Sequence, residues 1–363
     1  MERPRAREFG ILIGEMSPGP LNSITDVEGV GVGHVTLIRG EGKLVPGKGP
    51  VRTGVTVILP HGGNLFKEKV IGACFVINGF AKPIGLVQVE ELGTIETPIA
   101  LTNTLNVGIV ADALIEYMLE LNEDIGVTTG TVNPVVLECN DGWLNDIRGR
   151  HVKHQHVFQA IRSAGTAVEE GAVGAGTGMI SFEFKGGIGT SSRRLSGKLG
   201  GYTVGVLVLS NFGRREDLVI RGAPVGLELR DYCREHNCGG GSIVIVIATD
   251  APLTARQLKR LAKRATHGVA RVGGFSSHGS GDIVVAFSTK NRISHYAGRA
   301  EVNFKTIPDV ALSPLFKAVV EATEEAIVNS LLKAITIVGR DYHKGYAIPI
   351  EELERVLGKY GVL

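Results

Sequence analysis

The chain has 363 residues, of which 43% are apolar, and its 39 basic and 37 acidic side chains leave a formal net charge of +2. This balance argues against a nucleic-acid partner, and no apolar run is long enough to span a bilayer. Four cysteines do not make a disulfide framework in so long a chain, and the first residues lack the apolar core of a signal peptide. We therefore expect a cytoplasmic protein.

Short strands separated by glycine and proline turns dominate the first hundred residues. Runs of β-branched and aromatic residues of this length are typical of strands. Apolar residues at helical spacing predict a first helix over 104–121, and a second is expected over 156–168. The strands predicted before residue 214 are 30–38, 54–60, 72–79, 134–139, 180–189 and 202–213.

Beyond residue 241 the predicted elements alternate as strand, helix, strand and helix, over 242–250, 253–273, 282–289 and 312–335. Strands of nearly continuous apolar character are covered on both faces, so we expect sheets between helical layers. No linker or internal repeat divides the chain. A single domain over 1–363 is therefore expected.

The stretch CGGGSIVIVIATD places three glycines directly before a predicted strand that begins at Ser242. An ordinary loop leading into a core strand would explain the pattern. Alternatively, the chain cuts its own Gly241–Ser242 bond. Cleavage would free an α-amine whose ordinary pKa is about 7.7 to 8.0, so that one residue would hold both a nucleophile and a base.

Two further stretches contain polar residues that could assist such a nucleophile. Ser280 and Asp282 precede a predicted strand and lie on the same side of it if the chain is extended, where a hydroxyl and a carboxylate can relay a proton. A turn with local hydrogen bonds is the simpler interpretation. Asn211 ends a strand, where its amide could donate to an oxyanion or cap a turn.

Several motifs in the same order resemble the DmpA-type L-aminopeptidase/D-esterase-amidase family, which includes the β-aminopeptidases. They are GAVGAGTGM, KGGIGTSSR, SNFG, GAPVG, GGGSIVIVIATDAPL and GSGD, and the resemblance extends over essentially the full length of the chain. The resemblance implies an α+β fold with a four-layer αββα sandwich, similar to the N-terminal nucleophile hydrolases but differently connected. It also implies self-cleavage into fragments 1–241 and 242–363, a homotetramer, and no cofactor.

The resemblance also assigns roles to the residues around the cut. Ser242 matches the nucleophile and new N-terminus, and Gly241 lies on the other side of the cleaved bond. Ser280 matches a second serine that hydrogen-bonds the nucleophile, and Asp282 matches an acidic residue beside it. Asn211 matches the oxyanion-hole asparagine.

The segment ECNDGW is expected to bind the substrate. Glu138 looks like the acidic residue that receives the substrate ammonium group, through a charge-assisted hydrogen bond. Two positions later some family members carry a tyrosine, whereas this chain has Asn140, with Trp143 the nearest aromatic residue. The expected activity is hydrolysis of small peptides, amides or esters with a free amine, through an acyl-enzyme on Ser242.

Other classes of protein are weaker interpretations. Acyl transfer is the nearest rival, because the ornithine acetyltransferase group has a similar fold and also cleaves itself, but its nucleophile is threonine. The glycine-rich segments 171–179 and 186–194 could serve a small-molecule or nucleotide-binding protein, yet neither has a complete phosphate-loop pattern. We expect them to allow close packing.

Two clusters of histidine and cysteine lack a recognised zinc spacing, so we expect no metal. They are His151, His154 and His156, and Cys233, His236 and Cys238.

Overall fold

The computed structural model describes residues 3–233, 241–296, 298 and 301–363. The glycine run before the expected cut, up to residue 240, lies outside the described residues. So do His236 and Cys238 of the cysteine and histidine cluster.

The described chain forms fourteen strands and eight α-helices. The strands are β1 Gly31–Arg39, β2 Val51–Leu59, β3 Glu68–Gly79, β4 Thr94–Ile95, β5 Ile99–Asn103, β6 Val135–Cys139, β7 Ile180–Ser181, β8 Phe184–Lys185, β9 Gly187–Arg194, β10 Thr203–Asn211, β11 Ser242–Thr249, β12 Gly281–Ser294, β13 Ile337–Val338 and β14 Lys344–Gly345. The helices are α1 Leu86–Leu92, α2 Val107–Leu121, α3 His154–Arg162, α4 Val225–Glu228, α5 Ala255–Ala262, α6 Ala265–Arg271, α7 Ser313–Leu332 and α8 Ile350–Lys359.

Two large sheets make the centre of the fold. One has four strands in the order β1-β2-β5-β6, and the other has six in the order β4-β3-β12-β11-β10-β9. In the six-stranded sheet β11 pairs antiparallel with β10 and parallel with β12. The central strand β11 is therefore hydrogen-bonded along both edges, which suits its unbroken apolar sequence.

Three apolar clusters stack across the sheets. Side chains of both sheets, such as Leu137 and Val244, form the inner cluster. Helices α2 and α3 cover the outer face of the four-stranded sheet. Helices α5, α6, α7 and α8 cover the outer face of the six-stranded sheet. The layers are thus helix, sheet, sheet and helix, which confirms the predicted αββα sandwich.

Most of the predicted elements are present, with different ends. The helix predicted over 253–273 is two helices, α5 and α6. The strand predicted over 180–189 is divided among the two-residue strands β7 and β8 and the start of β9. The break between β7 and β8 occurs because Phe182 and Glu183 adopt positive φ values of 49° and 59° and reverse the chain. Non-glycine residues rarely adopt this conformation, so the sequence gives no indication of the turn. Within the described residues no helix is long and apolar enough to cross a membrane.

Candidate active site

Strand register brings Asn211, Ser242 and Gly281 side by side at one end of the six-stranded sheet. Asn211 is the pairing partner of Ser242 on β10, and Gly281 is its partner on β12. Ser242 is 6% exposed and is the first residue of β11. The Cys139 thiol of the opposite sheet lies 3.5 Å from the Ser242 carbonyl oxygen. The Ser242 backbone is therefore held from both sheets.

The peptide bond before Ser242 is held by a backbone donor. The Gly281 N–H donates to the Gly241 carbonyl oxygen at 3.1 Å and to the Ser242 Oγ at 3.2 Å. A donor on the Gly241 oxygen polarises that carbonyl and would stabilise negative charge formed on it. The same donor keeps the hydroxyl beside the carbonyl.

Glycine is required at both ends of this contact. A Cβ on Gly241 would lie 2.2 Å from the Asn211 carbonyl oxygen and 2.7 Å from the Phe212 Cα. A Cβ on Gly281 would lie 2.7 Å from the Ala81 Cβ and from the Phe80 carbonyl oxygen. Backbone atoms cannot yield as a flexible side chain can. The two glycines therefore permit a backbone approach that any side chain would prevent.

Ser280 and Asp282 form a buried hydrogen-bonded pair next to Ser242. The Ser280 Oγ donates to the Asp282 Oδ1 at 2.5 Å, and the Ile243 N–H donates to the same oxygen at 3.2 Å. Burial raises the pKa of Asp282, and these hydrogen bonds oppose the rise. Since the single hydrogen of the Ser280 hydroxyl is donated to Asp282, its oxygen remains available to accept a hydrogen bond.

Asn78, which sequence reasoning missed, holds the loop that carries Ser280. Its Nδ2 shares its two hydrogens among three carbonyl oxygens, those of Ser277 and His278, each at 3.0 Å, and that of Ser280. A strand-end asparagine is the only sequence signal for this role, and it is not specific. The role of the Gly281 N–H as a donor could not be predicted from the sequence, because every residue except proline has a backbone N–H.

Asn211 is oriented by its neighbours. Its Oδ1 accepts a hydrogen bond from the Ile180 N–H at 2.8 Å, which fixes the amide so that Nδ2 is the donor. The Nδ2 donates to the Asn140 carbonyl oxygen at 3.1 Å. An amide nitrogen carries two hydrogens, so one can still be donated to a bound substrate.

A cavity of about 370 Å³ joins the predicted nucleophile to the predicted amine site, but Ser280 and Asp282 are not part of its lining. Its lining includes Glu138, Asn140, Asn211 and Ser242. Glu138 is 3% exposed, and its carboxylate accepts hydrogen bonds from the Lys82 N–H at 2.9 Å and from the Thr104 hydroxyl. A carboxylate held in this way is a fixed acceptor for a substrate ammonium group.

Asn140 contacts Asn211 through its backbone, and the nearest aromatic side chain, Trp143, stands beside it in the cavity. The Asn140 side chain is exposed and accepts a hydrogen bond from the Gly142 N–H at 2.8 Å, so its backbone rather than its amide contacts Asn211. Trp143 also lines the cavity, and its ring stacks on His343 with centroids 3.7 Å apart.

The glycine-rich segment 171–179 packs inside the fold. Its residues Gly174–Gly178 form a buried 3-10 helix, and a Cβ on Gly178 would lie 2.3 Å from the Arg52 carbonyl oxygen. The buried Lys185 donates to the carbonyl oxygens of Gly176 and Met179 at 2.9 and 2.8 Å. Burial lowers the pKa of Lys185 to about 7. Carbonyl oxygens of the segment, and not its N–H groups, thus contact the Lys185 amine, whereas a phosphate-binding loop presents N–H groups to its ligand.

The three histidines of the segment HVKHQHVF bond to separate partners. His151 Nε2 lies 2.9 Å from Asp146, and His154 Nε2 lies 3.1 Å from Asp112. His156 Nδ1 accepts from the Lys153 N–H at 3.0 Å. Among the residues that the structure describes, no group of three or more histidine, cysteine, aspartate or glutamate side chains could hold a metal ion.

The model of Peptidase family S58 matches residues 22–345. The chain belongs to this family. It is 45% identical to the beta-peptidyl aminopeptidase BapA of Sphingosinicella microcystinivorans, over 99% of this chain and 93% of that protein. The predicted family and its peptidase activity are thereby confirmed.

Solved structures place the fold in the same family. The crystal structure of the PH0078 protein from Pyrococcus horikoshii OT3 is 63% identical with a TM-score of 0.96, over 99% of this chain and 100% of that one. The L-aminopeptidase D-Ala-esterase/amidase from Ochrobactrum anthropi is 38% identical with a TM-score of 0.92, over 99% and 100%. That structure is described as a prototype for the serine aminopeptidases and a new variant among the Ntn hydrolase fold. This chain is accordingly a serine aminopeptidase of family S58.

Proposed function

We propose that Ser242 is the nucleophile of an aminopeptidase that first cleaves its own chain and then hydrolyses small substrates with a free amine. The observation that carries the proposal is the single cavity lined by both Glu138 and Ser242. A carboxylate that binds an ammonium group and a hydroxyl that attacks a carbonyl are the two groups that removal of an N-terminal residue requires.

In self-cleavage, the Ser242 Oγ attacks the Gly241 carbonyl carbon, and the Gly281 N–H stabilises the charge on the carbonyl oxygen. The Ser242 Oγ proton passes to the Ser242 nitrogen as the bond from that nitrogen to the Gly241 carbonyl carbon breaks, and an ester of Gly241 with the Ser242 Oγ remains. Water then hydrolyses this ester. The products are a Gly241 carboxylate and a free α-amine on Ser242, so the single domain of 1–363 becomes the associated fragments 1–241 and 242–363.

In turnover, Glu138 binds the substrate ammonium group and Ser242 attacks the adjacent carbonyl carbon. The Asn211 Nδ2 donates to the oxyanion, the leaving amine or alcohol takes the proton, and the acyl-enzyme is hydrolysed by water. Two bases are available for the proton, the freed Ser242 α-amine and the Ser280–Asp282 pair. The proposed substrates are small peptides, amino-acid amides and esters. The β-peptidyl name of the Sphingosinicella relative and the esterase/amidase name of the Ochrobactrum relative support this range.

Denaturing mass analysis of the purified protein tests the nucleophile. We expect fragments 1–241 and 242–363 from the wild type, and one intact chain from Ser242→Ala. The control is Ser277→Ala, a serine of the neighbouring loop, which we expect to be cut as the wild type is. A wild type that stays uncut and does not hydrolyse an aminoacyl p-nitroanilide would refute the proposal. Acyl transfer to an added amine without hydrolysis would favour the acyltransferase alternative.

We also propose a cytoplasmic homotetramer. The tetramer depends on the resemblance to the family, and large apolar side chains such as Val87 and Val310, exposed at 86% and 87%, supply surface that an interface could cover. The buried free thiols of Cys74 and Cys139 suit a reducing compartment. Light scattering of the cleaved protein would give the mass of four copies.

A further inference from the structure

A second cavity, of about 330 Å³, adjoins the substrate cavity. Gly241 and Gly279 line both cavities, so the two meet at the residue before the nucleophile. The second cavity is also lined by Ser280, Phe212, Arg214 and Phe275. It therefore combines a hydroxyl of the active site with two aromatic rings and a guanidinium group.

The position of the second cavity suits the leaving group of a substrate. If Glu138 holds the ammonium group in the first cavity and Ser242 attacks the carbonyl, the atoms beyond the carbonyl extend away from Glu138. The shared rim at Gly241 and Gly279 leads them into the second cavity. There the leaving nitrogen meets Ser280, which is bonded to Asp282 and can pass on a proton.

Arg214 is placed to bind an anion in this cavity. It follows the oxyanion residue Asn211 by three positions, a span of at most about 10 Å along an extended chain. Its Nε and Nη2 donate to the Asp217 carboxylate at 2.9 and 3.2 Å, and its Nη1 donates to no residue within the described ranges. A guanidinium has five N–H donors, so a second carboxylate can be bound beside Asp217.

The aromatic residues define the rest of the leaving group. The Arg214 guanidinium lies 5.2 Å from the centroid of the Phe275 ring, and both side chains are more than half exposed. Phe212 is 4% exposed and packs edge-on against Phe182 at 5.0 Å, so it forms a fixed wall. In a dipeptide, the second residue supplies the leaving nitrogen, and the Cα bonded to that nitrogen carries both the side chain and the free carboxylate. The apolar side chain could pack on the rings of Phe212 and Phe275, and the carboxylate could pair with the Arg214 guanidinium.

We propose that the second cavity is the leaving-group site and that Arg214 selects leaving groups that carry a free carboxylate. The enzyme then prefers dipeptides with an apolar second residue to the corresponding dipeptide amides. This inference rests on the proposed function of Ser242 and Glu138, and it adds the chemical class of the leaving group.

The test compares three substrates. Ala-Phe has a leaving group with a free carboxylate, whereas the leaving groups of Ala-Phe amide and of alanine p-nitroanilide have none. The variants are Arg214→Met, which keeps the aliphatic stem, and Arg214→Lys, which keeps the charge. The control is Arg256→Met, because Arg256 is also an exposed arginine paired with an aspartate, at 65% side-chain exposure.

For Arg214→Met we expect kcat/KM on Ala-Phe to fall about tenfold, mainly through KM, as for a partly solvated charge-assisted hydrogen bond. Activity on the amide and the anilide should stay within about twofold of the wild type, Arg214→Lys should recover part of the loss, and Arg256→Met should change nothing. Equal losses on the acid and the amide, or no loss on either, would overturn the inference. Normal self-cleavage and anilide hydrolysis in that case would leave the proposed function standing.

Discussion

Replacing Gly241 by alanine should slow self-cleavage without harming the enzyme that is eventually produced. The added Cβ would lie 2.2 Å from the Asn211 carbonyl oxygen and 2.7 Å from the Phe212 Cα, whereas real Cβ contacts are essentially never under 3.0 Å. The Gly241 backbone must therefore shift by about 0.8 Å or more, because both neighbours are main-chain atoms of a strand end. The hydrogen bond from the Gly281 N–H to the Gly241 oxygen, now 3.1 Å, would be stretched or lost.

A misplacement of about 1 Å between reacting groups can cost about 100-fold in rate. We therefore expect the half-time of cleavage to lengthen by about 10- to 100-fold. Denaturing electrophoresis of newly made protein, sampled over time, measures this half-time. Activity per cleaved chain should stay close to that of the wild type, since Gly241 lines the two cavities but supplies no reacting group to turnover.

Gly279→Ala is the matched control, because a Cβ on this glycine, which lines both cavities, would meet nothing within 4 Å. It should be cleaved at the rate of the wild type. Cleavage of Gly241→Ala at that same rate would refute the argument that close backbone approach positions the bond.

Two further substitutions test the amine site and a buried acid. Glu138→Gln should raise KM for free-amine substrates by about 10- to 100-fold, because the substrate ammonium group loses its ionic partner. Self-cleavage should stay intact, because that step involves no ammonium group. An unchanged KM would contradict the role of Glu138. Burial raises the pKa of Asp141 from 3.8 to about 7, so the folded protein holds this proton more tightly than the unfolded chain does. The free energy of unfolding is therefore highest below about pH 4 and falls, by up to about 4 kcal/mol, as the pH rises through 7. In the uncleaved Ser242→Ala chain, Asp141→Asn should shrink the fall in Tm between pH 5 and pH 8, and an unchanged fall would argue against a buried ionising group at Asp141.

The family motifs led to the correct fold class before any contact was known. Periodicity predicted the long helices, because an amphipathic face is encoded by residues three and four positions apart. Asn211, Ser242, Ser280 and Glu138 lie around one site in the structure, but their roles remain predictions for the experiments above.

Other parts of the site left no usable pattern in the sequence. The reversal at Phe182 and Glu183 uses left-handed conformations in non-glycine residues, and it pairs β8 with β7, whose Ile180 N–H donates to Asn211. The loop contact of Asn78 joins residues about 200 positions apart. Sequence patterns that depend on near neighbours cannot report such pairs.

The sequence by itself determined that a stiff, apolar strand begins at Ser242 directly after glycine, because β-branched residues favour strands and glycine does not. Only the tertiary structure decided what lies beside that serine. Sheet register places Asn211 and Gly281 on either side of it, and packing of the two sheets brings Glu138 to the same cavity. These neighbours are set by hydrogen-bond ladders and core packing between distant segments, which no local stretch of sequence contains.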